Sequence, residues 1–205
     1  MKKPLTIGIA GPSGSGKTSI AEHIIQNFSC PIAYLRMDYY YKDQSHLSKS
    51  ERAAINYDSP DAFDTELMAE HLNELIQHQT IKVPRYDYTT HTRLQNAYPQ
   101  DSTPIVLVEG IILFAIDSLC EKLDIRLFLD TPADICLMRR IRRDCQQRGR
   151  TTESVIKQYE NSVRPMMYQY IYPSKTKANH VVQDGGFESS AIPWLTQRMA
   201  EHIDA

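Results

Sequence analysis

The fold of this 205-residue chain is decided by one stretch, Gly11-Pro12-Ser13-Gly14-Ser15-Gly16-Lys17-Thr18. It fits G-x-x-x-x-G-K-[ST], the pattern of a loop whose backbone N–H groups cradle phosphates. The flanking sequence supplies the context that this loop requires, because residues 5–10 form a short apolar run and residues 19–28 have the pattern of a helix. We therefore expect residues Gly11 to Ser19 to bind a nucleoside triphosphate at a helix N-terminus. Lys17 would contact the β- and γ-phosphates, and the Thr18 hydroxyl would coordinate Mg²⁺.

The composition argues against several classes of protein. The formal net charge is −2, so no overall basic field favours nucleic acid. The four cysteines form no C-x-x-C pair and are typical of thiols in a reducing compartment. The N-terminus has no apolar signal region, and the longest apolar run, residues 105–116, is too short to span a bilayer. We expect a cytoplasmic protein that binds neither nucleic acid nor a membrane.

Strand and helix patterns alternate along the chain, which predicts an α/β fold with a doubly wound parallel sheet. We expect one domain over residues 1–205. Towards the C-terminus, residues 154–172 read as a helix broken at Pro165, and residues 173–175 as a turn. A short last strand is expected at residues 179–183, followed by a glycine pair and a final helix at residues 187–202.

Acidic side chains follow the ends of several predicted strands. In open α/β sheets, ligands bind outside the carboxyl ends of the strands, so Asp38, which follows the strand at residues 32–37, is a candidate catalytic group. From its position alone, an exposed loop aspartate is an equal alternative. Glu109 ends the most apolar strand, where an acid could hold Mg²⁺ through water, and Asp130 competes with it for this role. We favour Glu109, because Gly110 follows it and would let a ligand approach closely.

A polar loop and a predicted hairpin carry further candidates. Asp64 can cap the helix at residues 65–77, whereas Asp58 has no structural duty visible in the sequence. Residues 81–98 alternate in a way that predicts a β-hairpin projecting from the sheet, with Tyr86 and His91 near its tip. A lone histidine is usually a surface residue, but the neighbouring tyrosines favour a binding pocket.

An arginine-rich segment spans residues 139–150, in a helix that Thr131 is expected to cap with Pro132 in its first position. Six arginines occur in these twelve residues. They could form a solvated helix face or a local nucleic-acid patch. With a phosphate-binding loop in the same chain, we favour a lid that clamps phosphates, because arginine makes planar, permanently charged contacts to phosphate oxygens.

Together these motifs resemble the uridine kinase (uridine–cytidine kinase) family, in the phosphoribulokinase-like branch of P-loop kinases. The resemblance extends from Gly8 to about Gly186 and rests on the order and spacing of its pieces. Besides residues 11–18, these are Asp38 with residues 40–42, residues 56–58 with Pro60 and Asp64, residues 86–88 with 91–93, residues 109–111, residues 139–150, residues 163–165 and residues 173–175. The chain departs from the family pattern at Ser59 and at Gln183-Asp184, and the first departure adjoins the expected ribose site.

The resemblance implies roles for individual residues. Asp38 would be the catalytic base at the nucleoside 5′-hydroxyl, acting with Lys17. Asp58 would bind the ribose 2′- and 3′-hydroxyls, which suits a carboxylate that accepts two hydrogen bonds. Tyr86 and His91 would contact the base, and a neutral histidine could serve uracil or cytosine according to its tautomer. The remaining expected residues are Gln158 at the ribose, Arg140 and Arg150 at the nucleoside, and Arg140, Arg143 and Arg148 in the lid.

The resemblance also implies an activity. We expect transfer of the γ-phosphoryl group of ATP or GTP, with Mg²⁺, to the 5′-hydroxyl of uridine or cytidine, by a homotetramer. The alternative within the same branch is a kinase for another alcohol, such as phosphoribulose or pantothenate. A GTPase-like switch would require an N-K-x-D motif, which the sequence lacks.

Overall fold

A computed structural model describes residues 2–183 and 191–204 of the chain. Its main sheet consists of β1 (Leu5–Ala10), β2 (Ile32–Arg36), β5 (Ile105–Gly110), β6 (Ile125–Leu129) and β7 (His180–Val182). These five strands are parallel and lie in the order β2-β5-β1-β6-β7. β3 (Ile81–Asp87) and β4 (Thr92–Gln100) pair antiparallel as a separate hairpin. The predicted α/β fold, with its parallel sheet and β-hairpin, is confirmed.

The helices fill the connections between strands. They are α1 (Lys17–Asn27), α2 (Lys49–Ala54), α3 (Thr65–Ile76), α4 (Asp117–Cys120), α5 (Ala133–Gln147), α6 (Thr152–Gln158), α7 (Arg164–Met166), α8 (Tyr172–Ser174) and α9 (Ala191–Asp204). Within the described residues, none of these helices has the length and apolar character needed to cross a bilayer. The predicted glycine pair and the first residues of the predicted final helix lie outside the described residues.

Both faces of the main sheet are buried, each by a different set of helices. In β5, Val106 and Val108 belong to one hydrophobic core, and Ile105 and Leu107 belong to the other, as the alternation of side chains along a strand requires. α1 and α9 pack on the face of Ile105, whereas α3 packs on the opposite face. The sheet is therefore covered on both sides, as a doubly wound fold demands.

The order of the strands gathers the predicted site at one edge. β5 lies between β1 and β2, and Glu109 at its end pairs with Ile9 of β1 and with Arg36 of β2. The phosphate-binding loop follows β1 directly, and Asp38 lies in a 3₁₀ turn, Met37–Tyr40, that follows β2. Three separate parts of the sequence thus meet at the carboxyl edge of the sheet, where ligands bind in such folds.

The predicted start of α5 is wrong in one detail. Thr131 was expected to cap this helix, but α5 begins at Ala133 after Pro132, and no side chain caps it. The Thr131 hydroxyl instead donates a hydrogen bond to the carbonyl oxygen of Ser15, at 3.1 Å. The threonine is buried and is used to hold the phosphate-binding loop, so it is not free to cap its own helix.

The predicted break at Pro165 and the predicted turn at residues 173–175 are also wrong. Helical backbone continues from α6 through two π-helical segments, Tyr159–Val163 and Met167–Ile171, and through α8 to a 3₁₀ segment, Lys175–Lys177. Proline interrupts an α-helix because it lacks an N–H group and its ring crowds a carbonyl one turn earlier. Widened π-turns on both sides of α7 accommodate Pro165 without ending the helix.

The β3–β4 hairpin is attached to the sheet edge by Arg93. Its guanidinium donates to Oδ2 of Asp64 at 3.1 Å and to the carbonyl oxygen of Tyr41 at 2.8 Å. Asp64 also caps α3, as predicted, because its side chain accepts from the backbone N–H of Leu67. One aspartate therefore fixes both the start of α3 and the position of the hairpin beside Asp38.

Candidate functional site

The phosphate-binding loop is formed by backbone geometry and held from beneath by α5. Gly14 has φ +88, a conformation that side chains disfavour, and a Cβ atom there would lie 2.4 Å from the carbonyl oxygen of Cys136. Ser15 is fully buried, and its Oγ atom has no hydrogen-bond partner among the described residues. A buried hydroxyl without a partner is costly, and a phosphate oxygen would supply one. The loop therefore fits the anion that the sequence predicts.

Lys17 lies in the same loop and is buried. Its Nζ atom donates to the carbonyl oxygens of Gly11 and Pro12, each at 2.9 Å. Burial lowers the pKa of this ammonium group, and the nearby carboxylates of Glu109 and Asp38 act in the opposite direction. The cation is thus placed over the loop with two acidic groups close by, which is the arrangement that a triphosphate with a divalent cation requires.

Thr18 and Glu109, the two residues predicted to hold Mg²⁺, lie in contact with each other. The Thr18 hydroxyl lies 2.7 Å and 2.9 Å from the two carboxylate oxygens of Glu109. Tyr34 donates to Oε1 of Glu109 at 2.8 Å, so the carboxylate is held from two sides. Within the described residues, no cluster of three or more histidine, cysteine or acidic side chains could cage a metal ion. One hydroxyl and one carboxylate fit Mg²⁺, which keeps most of its ligands as water and phosphate oxygens.

Asp130, the competitor of Glu109, has a different role. Its Oδ2 atom forms an ion pair with Nζ of Lys175 at 2.8 Å. This pair connects the end of β6 to the 3₁₀ segment after α8. Gly110 does not leave room for a ligand, so the predicted reason for preferring Glu109 over Asp130 is wrong. A Cβ atom at Gly110 would lie 2.5 Å from the sulfur of Met37, so the glycine lets the turn that carries Asp38 pack on β5.

A cavity of about 610 Å³ opens beside the loop. Its lining brings together the predicted nucleoside and lid residues, from six separate parts of the sequence. They are Asp38, Asp58, Tyr86, His91, Arg140, Arg143, Arg148, Arg150 and Gln158. Ser13 of the phosphate-binding loop lines the same cavity, so both predicted halves of the site face a common space.

Asp58 lies in the wall of this cavity and is 5% exposed. Its Oδ1 atom is 3.7 Å from Nη1 of Arg140, and its buried Oδ2 atom has no hydrogen-bond partner among the described residues. Burial raises the pKa of this carboxyl, while the Arg140 guanidinium opposes the rise. Arg140 and Arg150 both donate to Oε1 of Gln158, the first at 3.0 Å. The Ser162 hydroxyl also acts on this carboxylate, which keeps further capacity to accept hydroxyl groups of a ligand.

Aromatic side chains form the opposite wall. His91 stacks on Tyr57 with ring centroids 4.6 Å apart and an interplanar angle of 15°. Tyr41 contacts both Tyr57 and Tyr86, whose hydroxyl groups are buried and interact with each other. Flat aromatic rings that carry polar groups suit the stacking and hydrogen bonding of a planar heterocycle. Tyr57, in the loop before α3, belongs to a motif that carries the family resemblance, but no role in the site was predicted for it.

His91 occupies an unusual backbone conformation at the hairpin tip, with φ 55. Burial lowers the pKa of its ring, and the cations of Arg150 and Arg148 lower it further. The imidazole is therefore held neutral at neutral pH, with one ring nitrogen as donor and the other as acceptor. This is the protonation state that recognition of a neutral base requires.

The arginines of the lid approach the cavity from α5 and the loop that follows it. Arg148 lies over the ring of Tyr88, 4.8 Å from its centroid, which connects the lid to the hairpin. Arg140, Arg143, Arg148 and Arg150 all lie within 4.0 Å of one buried carboxylate, Asp144. Sequence reasoning missed Asp144, although a single acid inside an arginine run was a signal that could have identified it.

Comparison with known proteins identifies the family of this chain. A model of the phosphoribulokinase/uridine kinase family matches residues 6–190. The chain belongs to this family. Its match to the family model includes the phosphate-binding loop, the hairpin and the arginine-rich segment, so the cavity is built entirely from residues within the matched range.

Individual members of the family are close in sequence. The chain is 48% identical over 203 residues to a uridine kinase from Bacillus cytotoxicus, covering 98% of this chain and 96% of that protein. A uridine kinase from Bacillus thuringiensis is 47% identical with the same coverage. Known uridine kinases thus share nearly half of the residues over nearly the whole chain.

Solved structures with lower identity share the fold. Phosphoribulokinase from Rhodobacter spheroides superposes with a TM-score of 0.66 at 16% identity, covering 89% of this chain and 70% of that one. D-glycerate 3-kinase from Cryptococcus neoformans has a TM-score of 0.67 at 16% identity, covering 92% and 90%. These likenesses support the P-loop kinase fold.

Proposed function

We propose that this family member is a uridine kinase. It transfers the γ-phosphoryl group of ATP or GTP to the 5′-hydroxyl of uridine or cytidine and so makes UMP or CMP. The observation that carries the proposal is one cavity beside the phosphate-binding loop that contains Asp38, Asp58 and the stacked His91. The 47–48% identity to uridine kinases from two Bacillus species supports the same acceptor.

The donor side binds the triphosphate. Backbone N–H groups of the phosphate-binding loop surround the β- and γ-phosphates, with Lys17 over them. Thr18 and Glu109 would hold Mg²⁺, which would supply positive charge to offset the charge on the phosphoryl oxygens. Phosphoryl transfer needs positioning and charge stabilisation more than covalent chemistry, so these groups supply most of what the donor requires.

The acceptor side binds and orients the nucleoside. The carboxylate of Asp58 accepts the ribose hydroxyls, with Gln158 and Arg140 beside it. His91 and Tyr86 contact the base. The neutral imidazole of His91 can offer either a donor or an acceptor to position 4 of the pyrimidine. Asp38 orients the 5′-hydroxyl and accepts its proton as the bond to phosphorus forms. The lid arginines stabilise the charge on the transferred group and keep water away.

The proposal extends to the setting of the enzyme. We propose a cytoplasmic enzyme that is active as a homotetramer, on the strength of its resemblance to the family. Its four cysteines are all free thiols, which suits a reducing compartment. Light scattering of the purified protein measures the oligomeric state directly, and a monomer or dimer at working concentration would contradict the tetramer.

The test is release of ADP or GDP from the purified protein with a panel of acceptors. The panel contains uridine, cytidine, their 2′-deoxy forms, phosphoribulose and pantothenate. We expect release with uridine or cytidine and much less with the deoxy forms, because they lack a hydroxyl that Asp58 binds. Release that depends on phosphoribulose or pantothenate instead would replace the proposed acceptor, and release without any acceptor would indicate an NTPase.

A further inference from the structure

Asp144 is a buried carboxylate at the end of α5 that contacts four arginines. Its side chain is 0% exposed. Oδ1 lies 2.8 Å from Nε of Arg143 and 3.5 Å from Nη1 of Arg148. Oδ2 lies 3.6 Å from Nε of Arg140 and 3.9 Å from Nη1 of Arg150. One carboxylate therefore joins side chains from two turns of a helix and from the loop beyond it.

The backbone of the same residue shapes that loop. The carbonyl oxygen of Asp144 accepts the N–H groups of both Arg148 and Arg150, each at 3.2 Å. Between these arginines, Gly149 has φ +62, which turns the chain back on itself. Arg148 and Arg150 are thus held by Asp144 twice, through their backbone and through their side chains.

The arrangement is not that of an ordinary ion pair. All four guanidinium groups belong to residues that line the cavity, whereas Asp144 does not line it. Asp144 and Asp58, which contacts Arg140, supply two negative charges against these four positive charges, so positive charge is in excess beside the cavity. Asp144 also holds like charges together that would otherwise separate, because unscreened charges at this range repel strongly. Phosphate oxygens would balance the excess.

We propose that Asp144 is a positioning residue for phosphoryl transfer, which keeps these four arginines assembled around the cavity before the phosphates bind. It does not touch substrate and acts only through the arginines. The inference rests on the proposed function for its effect on turnover. Its structural part, the assembly of the lid, stands apart from the identity of the acceptor.

The first test replaces Asp144 by asparagine, which keeps the shape and removes the charge. We expect kcat to fall about 10- to 100-fold, since small displacements of groups at a reacting centre have effects of this size. The KM for ATP should stay within about twofold, because the phosphate-binding loop is built from other residues. Asp134→Asn makes the same chemical change at an exposed position in the first turn of the same helix, and it should leave kcat unchanged.

The second test needs no substrate. Limited digestion with trypsin, which cleaves after arginine, is followed by mass spectrometry of the fragments. In Asp144→Asn, cleavage at Arg143, Arg148 and Arg150 should become at least about tenfold faster while the rest of the chain stays intact, because local opening exposes only the lid. Asp134→Asn should be cut like the unaltered chain. A general loss of structure would instead raise cleavage throughout.

A third variant tests whether the exact position of the negative charge matters. Asp144→Glu keeps the charge but moves it by one methylene group, so its kcat should lie between those of the unaltered chain and Asp144→Asn. If Asp144→Asn does not fold, Asp144→Glu decides, and a kcat equal to that of the unaltered chain would refute the proposal.

The proposal that Asp144 positions the arginines would also be refuted if Asp144→Asn folds and shows the kcat and the trypsin cleavage of the unaltered chain. If the unaltered chain shows no nucleoside-dependent release of ADP, the proposed function fails, while the trypsin experiment still judges the assembly of the lid.

Discussion

The donor and acceptor halves of the site are built in opposite ways. The donor half is centred on one contiguous loop, residues 11–18, with Glu109 beside it, and the shape of the loop depends on glycine backbone angles and on the helix beneath it. The acceptor half uses side chains from the turn after β2, the loop before α3, the hairpin, α5 and α6. A backbone-built site binds what all triphosphates share. A site built from dispersed side chains can select one acceptor. Substitutions in the donor half should therefore change the KM for ATP, and substitutions in the acceptor half should change the kinetics with uridine.

The largest effect is expected for Asp38→Asn, which removes the proposed base and leaves the size of the side chain unchanged. We expect kcat to fall about 10²- to 10⁴-fold, the usual contribution of general base catalysis. Binding of uridine, measured by calorimetry, should persist. A kcat near that of the unaltered chain would place the base elsewhere in the cavity.

The next effect is expected at the base pocket. His91→Ala removes both the stacking on Tyr57 and the hydrogen bond to the base, so kcat/KM for uridine should fall about 100-fold. The KM for ATP should not change. His46→Ala, at an exposed histidine in the loop before α2, is the matched control and should behave like the unaltered chain. Equal losses for both nucleoside and ATP would argue against separate halves.

A smaller effect, confined to the donor half, is expected for Gly14→Ala. The new methyl group would meet the carbonyl oxygen of Cys136 and favour a different backbone angle, so the loop must shift. We expect the KM for ATP to rise about tenfold, corresponding to about 1.4 kcal/mol. Uridine binding in the absence of ATP is the internal control. Weaker uridine binding in this variant would show that the two halves depend on each other.

The smallest effect is expected for Asp58→Asn, which should stabilise the folded protein although it weakens the binding of uridine. Because burial raises the pKa of Asp58 above its ordinary value of 3.8, the free energy of unfolding decreases as pH rises through the raised pKa. Asp58→Asn should therefore stabilise the protein at pH 7 by about 1 kcal/mol, or about 2–4 °C in Tm. The difference should vanish at a pH low enough to protonate Asp58.

Calorimetric melting at several pH values measures this difference. The KM for uridine should rise in the same variant, because one ribose acceptor is altered. A lower Tm at pH 7 would show that the ion pair with Arg140 outweighs the cost of burial.

Much of the fold was readable from the sequence because its signals are local. Three features could be predicted from neighbouring residues alone. They are the apolar strand before Gly11, the hairpin at residues 81–98 and the cap that Asp64 forms. The same holds for the convergence of Asp38 and Glu109, since parallel strands place their carboxyl ends together.

Other features depended on long-range contacts that no local pattern encodes. Thr131 could not be assigned correctly, because its hydroxyl bonds to Ser15, 116 positions away in the sequence. Gly110 makes room for Met37 and not for a ligand. Pro165 breaks an isolated α-helix but not one with widened turns on either side. The grouping of four arginines on Asp144 arises only when the chain folds back after α5.

The position of Cys136 beneath Gly14 restricts the length of α5. α5 contacts the phosphate-binding loop in its first turn and presents Arg140 and Arg143 further along, over a helix of 15 residues that spans about 22 Å. Inserting one residue between Cys136 and Arg140 would rotate everything after it by about 100° around the helix axis. The lid arginines would then leave the cavity while the loop stayed in place. The spacing within α5 is therefore a fixed dimension of the enzyme.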